Sequence, residues 1–313
     1  MIKKKTNKDT NRATIVYDKG LDYEKKRFAY YLALPIMNLL AVWVLIKKAI
    51  ARKIGYKIYT NTFWFDGLCK ESRMVKEDAT TAQALNFLYN YEFNIRSGIK
   101  GRFADFWGAM INVQALRNRF KIVKRELTKA VEELRTLDEV RIVSIAAGSA
   151  QAVLEVIEKA VQGGANIKGL ILDLDPRAIE YSRKLAGQKK LADRIVFVNK
   201  GANSIQKSCR DFRPHIIEMV GFMDYRPHKR AIRLVQRIYS LLEPSGFFIT
   251  CNIRHNREAF FLKYVVDWEM IYRSPEMLAD IISRGGFSPE ATKIIYEPHK
   301  IHGVVVARKT GGP

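Results

Sequence analysis

RIVSIAAGSAQAVLEVIEKAVQGGANIKGLILDLDP, residues 141–176, is the stretch that decides the fold. It begins with a short β-branched strand at 141–145, turns through small residues, continues as a helical pattern and reaches a second apolar strand at 170–172. This order predicts a β-α-β unit in which the first amides of the helix face a ligand. Asp173 follows the second strand, 25 residues after Gly148, where an acid can hold two ribose hydroxyls.

The turn after the first strand has one glycine where a dinucleotide-binding turn has three. The side chains of Ala146, Ala147, Gly148 and Ser149 are small and leave room for a ligand near the backbone. A turn without a glycine for a pyrophosphate favours an adenosine cofactor that lacks a pyrophosphate, such as S-adenosylmethionine (SAM). The alternative is an ordinary β-α-β unit with an incidental glycine.

With this turn and Asp173, the chain resembles the class I SAM-dependent methyltransferases. Ser144, Ala146 and Ala150 stand where that superfamily usually has an acid and two glycines, and LLEPSG at 241–246 resembles the turn before its fifth strand. The resemblance covers residues 138–309. It implies an α/β fold with a Rossmann-like, seven-stranded methyltransferase sheet, mostly parallel, with an antiparallel closing hairpin and an N-terminal helical cap. The later strands are expected at 194–198, 215–220, 246–251, 292–296 and 302–307.

Shorter segments carry a narrower resemblance. VGFMDY at 220–225 and DWEMIYRS at 267–274 are similar to segments of bacterial methyltransferases that form 3-hydroxy fatty acid methyl esters. LRNRF at 116–120 resembles a bacterial methyltransferase family in which a basic helix precedes the first strand. These resemblances imply a small or lipophilic acceptor that is methylated on an oxygen, either a carboxylate or a hydroxyl.

Two other functions stay open. LDLDPRAIEYSRKL at 172–185 also resembles enzymes of the nicotianamine-synthase type, which transfer the aminocarboxypropyl group of SAM and release methylthioadenosine. The lost glycines and the net charge of +22 are also compatible with a basic membrane- or nucleic-acid-binding protein whose cofactor pocket has degenerated. The identity of the product separates the first two functions, and SAM binding separates both from the third.

Charge and cysteine usage limit the partners and the compartment. The 54 basic residues against 32 acidic ones predict an anionic partner. The sequence has no RNA-binding module, which weighs against nucleic acid and favours an anionic membrane surface, although the charge alone suits either partner. Three cysteines without CxxC spacing and five histidines without HExxH predict neither a disulfide framework nor a metal site. We therefore expect a cytoplasmic protein, with the inner face of the membrane as its place of contact.

The sequence divides into an N-terminal helical region, 1–137, and a SAM-binding domain, 138–313. Residues 28–46 contain no charge and have basic residues on both sides, but Pro35 and Asn38 interrupt the apolar run. This segment can lie in the plane of a membrane, form a buried helix that caps the substrate, or span a bilayer. Export of a basic flank would make the span the least favourable of the three.

The cofactor contacts follow from the expected sheet. Asp173 is predicted to hold the ribose, Leu174 to lie against the adenine, and the 146–149 turn to approach the methionine moiety. The resembling families imply that Arg119 or Arg117, on the basic helix, binds the methionine carboxylate. Asn203 is the candidate for recognising the adenine, and Glu218 completes the predicted cofactor contacts.

Residues after the fourth and fifth predicted strands are the candidates for the acceptor side, because strand ends form the crevice of an open sheet. Asp224, Tyr225 and His255 are the catalytic candidates, with His255 as a general base for a hydroxyl. A carboxylate acceptor needs no base. The residues expected to bind the substrate are Asn252, Arg254, Trp268, Tyr272 and Arg273.

Overall fold

The computed structural model describes residues 13–25, 28–78, 81–95 and 97–311. The chain forms two compact units. Of the described residues, the sheet unit contains 13–22, 119–254 and 271–311, and the helical unit contains those within 23–118 and 255–270. The division therefore differs from the sequence boundary at 137/138, because residues 119–137 belong with the sheet.

Eight strands form one sheet in the described part of the chain. They are β1 Thr14–Tyr17, β2 Val140–Ile145, β3 Ile167–Asp173, β4 Ile195–Asn199, β5 Ile216–Met219, β6 Phe247–Ile253, β7 Thr292–Tyr296 and β8 His302–Arg308. Their spatial order is β1-β7-β8-β6-β5-β2-β3-β4. Strand β2 is buried along most of its length and pairs in parallel with both β3 and β5. The direction of the connections reverses at β2, so the crevice of this open sheet lies at the carboxyl ends of β2 and β5.

The closing hairpin is antiparallel, as predicted: β8 pairs antiparallel with β6 and with β7. The expected count of seven strands is one too low. Residues Thr14–Tyr17 pair in parallel with Lys293–Tyr296 and add an eighth strand at the edge. This addition supplies partners for backbone groups that β7 would otherwise present unpaired at the edge of the sheet.

The helices follow the predicted alternation with strands in the sheet unit. In chain order they are α1 Phe28–Lys53, α2 Lys70–Glu77, α3 Ala82–Tyr89, α4 Gly98–Gly108, α5 Ile111–Glu133, α6 Gln151–Gln162, α7 Pro176–Gln188, α8 Ile205–Cys209, α9 His228–Leu241, α10 Ala259–Tyr264 and α11 Pro275–Arg284. The main core of the sheet unit includes the side chains of β2, β3, β5 and β6 together with those of α9 and α11. This core holds the strand ends rigidly at the crevice.

Helix α1 is unusual because most of its apolar surface is exposed. Over residues 30–53, where the side chains are described, the buried residues are Tyr30, Met37, Ala41, Val44 and Ala51. These positions follow one another at intervals of seven, four, three and seven, which is one narrow face of a helix. The helix packs on α10. Judged by length and composition only, it is sufficient to cross a membrane.

Candidate active site

The turn between β2 and α6 has a strained backbone. Ala146 and Ala150 have φ angles of +50°, and Gly148 has a φ of +55°. The left-handed conformation costs an alanine about 1 kcal/mol or more, because its Cβ approaches the following carbonyl. Such strain persists where the surrounding structure imposes it, and it is typical of ligand sites. The predicted ligand turn therefore has the backbone geometry of a functional site.

Asp173 closes this turn from the end of β3. Its Oδ2 accepts a hydrogen bond from the Gly148 amide at 2.8 Å, and its Oδ1 accepts one from the Asp175 amide at 2.9 Å. Burial raises the pKa of the Asp173 carboxyl, although these amides oppose the rise. Each carboxylate oxygen has a second lone pair, so Asp173 can still accept hydrogen bonds from two ribose hydroxyls.

Two residues that the sequence analysis missed support the turn. Ser182 on α7 donates its hydroxyl to the Gly148 carbonyl at 3.1 Å. Asn199, opposite Asp173 in the sheet, donates its amide to the carbonyls of Asp173 and Leu174, both at 3.0 Å. No local sequence pattern marks Ser182 or Asn199, because their role depends on the folded chain placing them beside the turn.

The two residues assigned to the adenine, Leu174 and Asn203, follow strands β3 and β4 and are exposed. Leu174 is 73% exposed and leaves an apolar surface beside Asp173. Asn203, in the short helical turn after β4, is also exposed.

In the turn between β2 and α6, Ser149 is buried. Ala147 donates its amide to the Leu172 carbonyl at 3.3 Å.

A buried cation lies at the carboxyl ends of β5 and β6. The Arg119 side chain is 2% exposed, and its Nη1 donates to the Sγ of Cys251 at 3.6 Å. Gly221, which follows β5 with a φ of +86°, lies so close that a Cβ there would be 3.9 Å from the same nitrogen. The guanidinium attracts the carboxylates of Glu218 and Asp224, which favours their charged forms.

Burial shifts both of these carboxyls. It raises the pKa of Glu218 to about 7 and that of Asp224 to about 6. Both Glu218 oxygens are held within the chain, by the Ser144 hydroxyl at 2.5 Å and the Val220 amide at 2.9 Å. These two contacts fix the Glu218 carboxyl at the end of β5. Asp224 is anchored through one oxygen, Oδ1, which accepts from the Ile253 amide at 2.7 Å.

The two arginines proposed for the methionine carboxylate belong to different units. Arg117 is in the helical unit, where its Nη2 pairs with Glu24 Oε2 at 2.7 Å and donates to the Gly108 carbonyl at 2.9 Å. These contacts occupy its guanidinium. Arg119 is in the sheet unit with the strand ends, so it remains the candidate for the carboxylate.

Asn252 and Arg273 have a structural role instead of the predicted contact with an acceptor. Arg273 donates to the Met223 carbonyl at 2.8 Å, to the Arg226 carbonyl and to the side-chain oxygen of Asn252. Asn252 in turn donates to the Ile271 carbonyl at 2.9 Å. Together these two buried side chains attach the loop after β5 to the segment before α11, and this fixes the position of Asp224.

The remaining acceptor candidates are divided between the units. Tyr225, Arg254 and Tyr272 are partly exposed in the sheet unit. Trp268 is buried in the helical unit, where it lines a small aromatic cavity. His255 is exposed in the helical unit and lines a larger cavity of about 590 Å³. In the described residues no three His, Cys, Asp or Glu side chains gather as a metal site.

Comparison with known proteins identifies relatives of this fold. A family model described as "Putative methyltransferase" matches residues 46–309. No curated protein matches the chain. A crystal structure of a "possible exported protein" from Bordetella parapertussis is similar over 92% of this chain and 100% of that chain, with a TM-score of 0.67 at 16% identity.

Two structures of magnesium protoporphyrin IX methyltransferase from Synechocystis PCC 6803 are also similar to the chain. The structure with bound S-adenosylhomocysteine (SAH) covers 77% of this chain and 100% of its own, with a TM-score of 0.53 at 11% identity. The structure with bound SAM covers 77% and 97%, with a TM-score of 0.52 at 9% identity. The predicted α/β methyltransferase fold is confirmed, and the expected cofactor, SAM, is bound in one of these neighbours and SAH in the other.

Proposed function

The chain belongs to the methyltransferase family whose model spans residues 46–309, and on that premise we propose that it transfers the methyl group of SAM to an oxygen of a lipophilic acceptor, a carboxylate or a hydroxyl. The observation that carries this proposal is the strained turn at 146–150, which is closed by Asp173 and follows β2, the strand at which the direction of the connections reverses. The three buried, unlinked cysteines suit a reducing compartment, so we place the reaction in the cytoplasm.

The residues at the strand ends fit SAM. Asp173 has lone pairs for the ribose hydroxyls, and the exposed Leu174 offers an apolar surface for the adenine. Ala146, Ala147 and Gly148 are partly exposed and small enough for the methionine moiety to approach the turn. Arg119 supplies the cation that a carboxylate requires, and Gly221 keeps the backbone beside it free of a side chain.

SAM supplies a methyl carbon that is activated by a sulfonium centre. The chain mainly has to orient the acceptor oxygen toward that carbon and to accept a proton where the acceptor is a hydroxyl. Asp224 suits the second task, because its pKa of about 6 leaves the carboxyl ionised at neutral pH yet still basic enough to accept a proton. The Ile253 amide holds one of its oxygens in place.

A cavity in the helical unit supports the lipophilic character of the acceptor. Its volume of about 590 Å³ is within the range of small-molecule sites. Leu39, Val42 and Phe260 form apolar walls, and His255 and Arg257 line the same space. An acyl chain with an anionic end matches this combination of apolar and cationic groups.

The test is to incubate the protein with SAM and 3-hydroxy fatty acids of graded chain length, and to identify both products by mass spectrometry. We expect SAH together with a methylated fatty acid. Methylthioadenosine would instead show aminocarboxypropyl transfer, and absence of SAM binding would leave a basic binding protein with a degenerate pocket.

Asp224→Asn distinguishes the two oxygen acceptors. Loss of the base should slow methylation of a hydroxyl about a hundredfold or more and leave methylation of a carboxylate nearly unchanged. Asp211→Asn is the matched control, because Asp211 is an exposed acid of the same unit. Equal slowing by the two substitutions would contradict the role of Asp224.

A further inference from the structure

Helix α1 carries a second apolar stripe, which is exposed to solvent, unlike the buried face of the same helix. The stripe advances by four and three residues in turn, which keeps it on one side of the helix. Its side chains are between 48% and 70% exposed. We call this set the exposed stripe: Leu32, Ile36, Leu39, Trp43, Ile46 and Ile50.

The apolar surface extends beyond the exposed stripe. Tyr31, Val42 and Leu45, beside it on the helix, are also exposed, and only 17% of the apolar stretch of α1 is buried. Scattered apolar side chains are normal on a protein surface, but a continuous apolar face of this kind marks an interaction site. A partner that contacted the exposed stripe alone, such as one helix of a second copy, would leave these flanking side chains in water.

The charges around α1 point to an anionic partner. No acidic residue occurs between Glu24 and Asp66. Arg52, Lys53 and Lys57 follow the apolar stretch and are exposed. Arg257, on the wall of the neighbouring cavity, is also exposed. Apolar side chains together with exposed cations are the combination that binds the surface of an anionic bilayer.

The buried face of α1 decides how the helix meets such a bilayer. It runs from Tyr30 to Ala51, nearly the whole length of the helix, and α1 packs on α10 of its own unit. A helix that is held along its length in this way cannot be surrounded by lipid. The exposed stripe covers 18 residue steps, about 27 Å, and can lie flat on the membrane.

We infer that the exposed face of α1 docks in the plane of an anionic lipid bilayer. Leu39 and Val42 belong to this face and also line the 590 Å³ cavity, so a lipid acyl chain has a short path from the bilayer to the cavity. This inference does not depend on the proposed methyl transfer, since it concerns only the helical unit and its surface.

The experiment is sedimentation of the full-length protein with vesicles of phosphatidylcholine alone or mixed with phosphatidylglycerol. We expect binding to the mixed vesicles that weakens as salt is added, because salt screens the cations. Leu39→Glu should lower the partition coefficient about tenfold or more, since it removes an apolar side chain from the contact and adds an anion. Ile99→Glu, at an equally exposed position on α4, should leave it unchanged.

Trp43 reports the depth of the contact. Its fluorescence should be quenched by lipids that carry bromine on the acyl chains, and the quenching should decrease in the Trp43→Phe variant. Two results would overturn the inference. One is equal loss of vesicle binding in the Leu39→Glu and Ile99→Glu proteins. The other is no binding to the mixed vesicles, and a dimer that Leu39→Glu dissociates would then make this face a contact between two copies.

Discussion

Replacing Asp173 with asparagine should weaken SAM binding about a hundredfold. The carboxylate accepts from the Gly148 and Asp175 amides, and its remaining lone pairs are the ones proposed to accept from the ribose hydroxyls. A hydrogen bond to a charged group contributes about 1.5 to 3 kcal/mol. Asparagine keeps one acceptor oxygen and replaces the other with a donor, so we expect a loss of about 3 kcal/mol, which corresponds to about two orders of magnitude in Kd.

Calorimetric titration with SAM and SAH measures this loss, and Asp175→Asn is the matched control. Asp175 caps α7 by accepting from the Arg177 amide at 2.9 Å and pairs with the Arg177 side chain. Asparagine caps a helix about as well as aspartate, and the ion pair with Arg177 is largely exposed, so this substitution should leave both the stability and the affinity for SAM nearly unchanged. The reasoning is refuted if Asp173→Asn binds SAM normally, or if the two variants lose affinity equally while both remain folded.

Three further predictions concern ionisation and strain. Burial raises the pKa of Glu258 from 4.5 to about 7. The folded protein therefore keeps a proton that the unfolded chain releases, so the stability from this group is complete below pH 4.5 and is lost as pH rises through about 7. In denaturant titrations across this range, the difference in unfolding free energy between the wild type and Glu258→Gln should change by about 3 kcal/mol. A difference that stays constant with pH would contradict this prediction. Ala150→Gly should raise the free energy of unfolding by about 0.5 to 1 kcal/mol, because glycine relieves the left-handed strain. Ala147→Gly should lower the free energy of unfolding. Melting temperatures that shift in the same direction in both variants would contradict this prediction. With a hydroxyl acceptor and saturating SAM, kcat/KM should fall as pH drops through about 6 and protonates Asp224, and Arg119→Met should shift this limb to higher pH, because the cation no longer favours the carboxylate. An acid limb that stays in place would exclude the coupling of these two groups.

The order of elements in the sheet unit could be read from the sequence. The apolar runs of β2 and β3 and the intervening helical pattern correctly predict the β-α-β unit and the position of Asp173. Such patterns are local, because each follows from the period of a strand or helix and from the burial of one or both of its faces. The strained turn is also marked locally by its small residues.

The contacts between distant segments were decided by the tertiary structure. Arg117 and Arg119 look equivalent in the sequence, yet residues two apart on a helix point in nearly opposite directions, so one pairs with Glu24 and the other lies beside Gly221. In the same way, the edge pairing of β1 depends on a strand about 280 residues later in the chain. Local sequence patterns determine which elements form, whereas the role of each polar side chain depends on neighbours that only the folded chain brings within hydrogen-bonding distance.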